Sequence, residues 1–177
     1  GLAVNQSATL ADLTTATSGS ATSWSRLSSD GYTGAKAFDE DKTTANSRWL
    51  ASPADSMFVV YKFNEATAVN AISVYGGSDY LGGADSSNRA PKAWTFSGSQ
   101  TGEDGSWTVL DAQTDETGWA SDGEDRYYQF VNQTPYAYYK FDCTALNDAS
   151  ADCLQIRELE FFHYNPGTPQ IGDVSVS

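Results

Sequence analysis

The side chains of this sequence best suited to chemistry are oxygen ligands rather than nucleophiles. Asp39 and Asp41 stand two residues apart in Lys36-Ala-Phe-Asp39-Glu-Asp41-Lys-Thr43-Thr44, a run closed by Arg48-Trp49, and Glu158 lies far along the chain in Leu154-Gln-Ile-Arg-Glu158-Leu-Glu-Phe-Phe162. Carboxylates at that spacing, with a hydroxyl beside them and a distant glutamate, form the oxygen-rich set that a hard cation such as Ca²⁺ takes. The alternative is an acidic surface turn without metal, because Asp-rich turns form on their own account. Catalytic readings are weaker. His163 is the only histidine and closes the last candidate strand, so no Ser or Cys nucleophile has a base near it in a Gly-rich elbow. Two cysteines and one histidine make no zinc pattern, and no phosphate-cradling Gly loop runs into a Lys and a helix. Glycosidase-type carboxylate pairs stay open, since their separation is spatial. The chain is read as a non-enzyme.

The elements that would position these groups are bounded by size and charge. A chain of 177 residues suits one domain with a full core. With 23 acidic against 10 basic residues the formal charge is −13, a field that repels phosphate backbones and anionic lipid headgroups. Nucleic acid and anionic membranes are therefore not expected as partners. No apolar run approaches the roughly 20 residues that span a bilayer, and the Gly1-Leu-Ala-Val start lacks a signal peptide's basic and apolar regions. The expectation is a soluble, excised or processed piece. Few lysines, an acidic surface and abundant Ser, Thr and Asn favour an oxidising setting, so the expected location is secreted or cell surface. Cys143 and Cys153 flank a polar stretch that reads as a turn between two strands, which a disulfide could close; two free, half-buried thiols are the other possibility.

Period-two runs separated by Gly, Ser, Asn and Asp clusters predict strands over 57–63, 71–75, 93–97, 107–110, 127–131, 137–143 and 154–162. Seven or more short strands imply an all-β antiparallel sandwich with little helix; the best helical candidate, 8–13, is one to two turns. Aromatic residues, 13% of the chain, sit mainly on these strands and would fill the space between two sheets. Three stretches, 22–32, 76–89 and 115–126, read as long loops, where binding groups are usually displayed. Beyond Tyr164 the composition turns linker-like at Asn165-Pro-Gly-Thr-Pro. The expected division is a single domain over 1–165, followed by a linker over 166–177 toward a neighbouring module, monomeric when alone.

Four segments in order, Lys36 to Thr44 with Trp49, Arg89-Ala-Pro-Lys-Ala-Trp94-Thr-Phe-Ser-Gly-Ser99, Asp104-Gly-Ser-Trp107-Thr-Val-Leu110 and Ile156-Arg-Glu158-Leu-Glu160, resemble discoidin-type (coagulation factor 5/8 C-terminal) domains. Within them the chain is most similar to the bacterial family 32 carbohydrate-binding modules, over roughly residues 20 to 163. The resemblance implies a jelly-roll-like, galactose-binding-like sandwich with long loops at one end. It also implies a structural calcium held by the Lys36 carbonyl, the Asp39 carboxylate, the Asp41 carbonyl, Thr44 through carbonyl or hydroxyl, the Arg157 carbonyl and Glu158. Six oxygens and two formal negative charges suit Ca²⁺ better than Mg²⁺. The family usually has Gly where this chain has Glu40, and fewer residues between Thr44 and Trp49.

A family 32 likeness implies a glycan as partner, and a non-catalytic module that targets a larger secreted enzyme or adhesin to it. A pyranose packs its C–H face on an aromatic ring and offers its hydroxyls to fixed planar polar groups. Trp119 is the leading stacking candidate, with Trp24 and Tyr80 next, and Asp30, Asp79, Asn88 and Arg89 would supply polar contacts. Ordinary packing is the alternative for the rings, and an ion pair with Asp85 or another carboxylate the alternative for Arg89. Galactose-binding members commonly carry a His just after the calcium-segment Trp, where this chain reads Leu50-Ala-Ser-Pro-Ala-Asp55, so galactose specificity is not implied. The competing function is a protein- or cell-surface adhesion domain of the discoidin type without sugar binding.

Overall fold

The computed structural model describes residues 10–27, 31–76 and 87–165. Among them nine strands run in the order β1 (Gly19–Trp24), β2 (Trp49–Ala51), β3 (Met57–Ala68), β4 (Ala71–Gly76), β5 (Pro91–Ser99), β6 (Thr108–Gln113), β7 (Glu124–Gln129), β8 (Pro135–Leu146) and β9 (Leu154–Phe162), with short 3-10 turns at Gly34–Phe38 and Ser87–Arg89. They form a five-stranded sheet ordered β1-β3-β8-β5-β6 and a four-stranded sheet ordered β2-β9-β4-β7, antiparallel throughout. The expected all-β sandwich with little helix is what is found.

Alternation builds the core. Val59, Tyr61 and Phe63 on β3 share a face with Phe141 and Tyr139 on β8 and Phe96 on β5, while Ile72 and Val74 on β4 pair with Phe161 and Leu159 on β9. Phe161 sits at the centre, with the rings of Phe38, Tyr61, Phe63, Phe96 and Tyr139 at centroid distances of 5.0 to 6.4 Å. β9 is buried along nearly its whole length, polar residues included, because the core covers one face and the 34–48 segment approaches the other. Between Tyr75↔Glu158 and Gly76↔Ile156 the register shifts, leaving Arg157 as the extra residue of a bulge.

The pairings Trp24↔Val59, Ala51↔Leu154, Gly76↔Ile156 and Pro91↔Leu146 put the ends of β1, β2, β4 and β8 and the starts of β3, β5 and β9 at one end of the sandwich, the loop end.

Several expectations are corrected. Residues 22–24 belong to β1 rather than a loop, β7 starts at Glu124 inside the stretch read as loop, and 10–13 form no helix, while 8 and 9 lie outside the described residues. The segment between Cys143 and Cys153 is not a hairpin turn: β8 and β9 lie in different sheets, and the chain crosses between them. Both cysteines are free, buried thiols. Burial pushes Cys143 up to about 12 and Cys153 up to about 11, and the Cys143 Sγ donates to the Ala145 carbonyl at 3.3 Å. The expected disulfide is absent.

Candidate functional site

Two regions carry the groups singled out by sequence. The first is where the 36–44 loop meets β9. Glu158 is 1% exposed, and its Oε1 accepts from the Asp39 and Glu40 amides at 3.0 and 3.1 Å. Its Oε2 is buried without a hydrogen-bond partner among the described residues. Burial, reinforced by Glu40, Asp39 and Glu160, pushes its carboxyl up to about 10. A buried carboxyl oxygen with nothing to bond, crowded by other carboxyls, lacks a counter-charge. That donor chemistry fits a hard cation.

The rest of the expected ligand set is partly assembled. Asp39 Oδ1 accepts from the Asp41 amide at 3.2 Å, while its Oδ2 takes the Ser47 hydroxyl and lies 3.6 Å from Lys36 Nζ. The Asp41 carboxylate closes its own turn, accepting from the Thr43 and Thr44 amides at 2.9 and 2.8 Å; bonds from Thr44 and Thr43 hold it well below the usual carboxylate range. It is therefore a loop former, consistent with a role for its carbonyl rather than its side chain. Thr44 and Arg157 meet directly, the buried Nη1 of Arg157 donating to the Thr44 carbonyl at 2.9 Å. Lys42 spans to Asp125 at 3.0 Å and Glu160 at 2.5 Å. Among the described residues no group of three His, Cys, Asp or Glu side chains forms a metal cage, so any cation here would lean on main-chain carbonyls, with Asp39 and Glu158 as its carboxylates. Glu40 adopts φ 61, the conformation that suits Gly.

The second region is the loop end. Arg89 Nε and Nη2 grip both oxygens of Asp152 at 2.8 and 2.9 Å, and Nη1 donates to Gln155 Oε1 at 3.3 Å. The Arg89 bonds hold Asp152 below its ordinary pKa. A fork-to-fork pair of this kind fixes a guanidinium plane. Beside it the Oδ1 of Asn88 is buried with no hydrogen-bond partner among the described residues. A groove of about 350 Å³ opens at the same end, lined by Pro53, Met57, Lys92, Thr144, Leu146 and Asn147 among others. Arg48 adds a further guanidinium, packed 5.1 Å from the Tyr32 ring and close enough to Cys153 to bias its thiol.

The stacking candidates are corrected here. Trp119 is 4% exposed and belongs to the core; its Nε1 donates to the Pro91 carbonyl at 3.1 Å and the Arg126 guanidinium covers its ring at 4.1 Å. Its apolar neighbours come from other strands: a Cβ at Gly76 would lie 3.2 Å from the indole. Trp24 is half-buried against the core over Gly34, whose hypothetical Cβ would come within 2.6 Å of it. Neither is an open platform. Asp30, Asp79 and Tyr80 lie outside the described residues. Asp152, Gln155 and Arg48 were not singled out by sequence; Asp152 lies 63 positions from Arg89, and no local pattern marks the pair.

No protein-family model matches the sequence, and no curated protein matches it. Solved structures do match. The family 32 carbohydrate-binding module of Streptococcus pneumoniae EndoD superposes at TM-score 0.64 and 9% identity, covering 87% of this chain and all of that one. The paired modules of Clostridium perfringens ZmpB in complex with GalNAc match at 0.60 and 18%, covering 81% of this chain and 33% of that one. Saccharomyces cerevisiae allantoicase matches at 0.61 and 12%, covering 88% of this chain and 43% of that one. The chain has the fold that the family 32 modules share.

Proposed function

We infer that this chain is a non-catalytic glycan-binding module that recognises mono- or oligosaccharide ends at its loop end, with a structural calcium between the 36–44 loop and β9. The observation that carries the reading is the loop-end constellation: Arg89 held in place by Asp152 and Gln155, the Asn88 Oδ1 beside it with no hydrogen-bond partner among the described residues, and the neighbouring groove. Sugar hydroxyls need fixed donors and acceptors, and a site whose polar groups are already oriented spends little on ordering them. Arg89 would present its fixed guanidinium to sugar hydroxyls, Asn88 would accept, and Lys92, Thr144 and Asn147 would border a following residue. Two of the structural neighbours are described with GalNAc bound, which supports a saccharide as the ligand class. Residues 50–55 contain no His, so the galactose-type contact is not carried over.

Calcium, if bound by Asp39, Glu158 and the nearby carbonyls, would supply the counter-charge that Glu158 lacks and clamp the loop to β9, stabilising the fold by binding only its native form. It would not touch the sugar. The module would serve a larger secreted enzyme or adhesin as its targeting domain.

A glycan array probed with the wild-type chain and with Arg89→Ala, each with and without chelator, tests this. Glycan hits lost in Arg89→Ala are expected. Hits that survive the substitution would remove Arg89 from the site, and a blank array would favour the adhesion-domain alternative.

A further inference from the structure

The outer face of the five-stranded sheet is unlike the rest of this acidic surface. Of the five lysines, Lys36, Lys42 and Lys92 are paired with carboxylates. Lys62 and Lys140 form no ion pair among the described residues; each lies over an aromatic ring instead, Lys62 Nζ 5.5 Å from the Tyr138 centroid and Lys140 Nζ 4.7 Å from that of Trp107. The registers Val60↔Lys140, Lys62↔Tyr138, Ser97↔Lys140 and Thr95↔Asp142 place these residues on the face opposite Tyr61, Tyr139 and Phe96, away from the core. On β3, β8 and β5, over the paired residues 58–62, 138–142 and 95–99, Asp142 is the only carboxylate at an outward position. Val109, 59% exposed, continues the face onto β6 opposite Ser97.

We propose that this outer face, centred on Lys62, Lys140, Tyr138 and Trp107, is a second binding surface, for an acidic saccharide bearing carboxylate or sulfate groups. The charge complementarity is local: two ammoniums outside any ion pair among the described residues, with Asp142, which feels the charge of Lys140, as the carboxylate beside them, on a chain of net charge −13. Lys62 and Lys140 are diagonal neighbours on adjacent strands, a relation that puts two residues about 7–8 Å apart, within reach of one anionic group for side chains this long. Held over a ring, each ammonium has already lost part of its freedom, so pairing with an anion costs less ordering. The rings and Val109 supply apolar area for pyranose C–H faces. A dense polyanion such as nucleic acid would meet the repulsion of the whole molecule, whereas a saccharide with sparse charge feels chiefly the two lysines. This inference does not rest on the loop-end reading, since the two surfaces share no residue.

The test is an amide-resolved NMR titration of the full chain with tetragalacturonate, at low and high salt, alongside its methyl ester and a short poly-glutamate. Expected are shifts on β3, β8 and β6, suppressed by salt and by esterification, and weakened about fivefold to tenfold in the surface variant Lys62→Gln/Lys140→Gln, with Arg89→Ala binding as wild type. The proposal is overturned by no saturable shift with tetragalacturonate, by equal binding of the methyl ester, by poly-glutamate binding as tightly, or by shifts that Arg89→Ala abolishes.

Discussion

Glu40 is the residue at which this chain departs from the resemblance and also carries measurable strain. Its φ of 61 places a side chain in the left-handed region, which costs a non-glycine residue about 1–2 kcal/mol. Glycine pays no such cost but gives back about 0.5–1 kcal/mol through its freer unfolded chain. The carboxyl adds a second term of the same sign. Burial, contact with Asp12 and the charges of Asp12 and Glu160 push it up to about 7. A folded value above the unfolded one means its contribution is fully present below about 4.5 and is lost as pH rises through 7. Because the group is largely exposed, that loss is screened to a few tenths of a kcal/mol. Glu40→Gly should therefore stabilise the chain by about 1 kcal/mol at neutral pH, raising Tm by about 2–4 °C for a domain of this size. Glu40→Ala removes the same carboxyl but keeps the strain, and both variants keep the Glu40 amide that donates to Glu158. Thermal unfolding followed by circular dichroism in chelator should rank Gly above Ala above wild type, with the gap to wild type wider at pH 8 than at pH 5. A glycine variant that melts at or below the alanine variant would refute the strain argument.

Four further outcomes follow. Glu158 has a folded pKa raised to about 10, so in chelator the stability it confers should fall as pH rises from about 4.5 toward 10, at a slope of at most about 1.4 kcal/mol per pH unit; Glu158→Gln should flatten that dependence in denaturant titrations. Calcium should raise Tm in the wild type, more at pH 8 than at pH 5, and not in Glu158→Gln, as scanning calorimetry would reveal. Phe161→Ala, which empties the centre of the aromatic core, should cost about 3–5 kcal/mol in urea unfolding. Cys143 and Cys153 should resist maleimide in the native protein and both label in urea without reductant; a mass two hydrogen atoms lighter than the dithiol would show the disulfide instead.

How much of this was legible beforehand varies with the physics of each element. β3, β4, β5, β8 and β9 could be read because their alternation is driven by one buried face and survives in the sequence as a period of two. β1, Gly19-Ser-Ala-Thr-Ser-Trp, could not: as an edge strand of small hydroxyl residues it is held by pairing with β3 rather than by apolar pattern. The meeting of the acidic loop with the last strand was legible, since the loop and Glu158 were read together and the Glu158 carboxyl does accept from the Asp39 and Glu40 amides. Trp119 was misjudged because only its sequence neighbours are polar, while Gly76 makes room for it from another strand. The cysteines were misjudged for a similar reason: ten positions apart, they are separated by a crossover between sheets that no local composition reveals. Arg89 is paired with a carboxylate, the alternative its sequence reading left open, and the partner, Asp152, is supplied by the fold alone.

The loop end as the sugar site is tested most directly by mapping amide shifts on the calcium-loaded chain with a saccharide that the array identifies. Shifts centred on Asn88, Arg89, Asn147 and Asp152, and lost in Arg89→Ala, are the predicted result. Shifts confined to another face, or a saccharide response unchanged by Arg89→Ala, would contradict it.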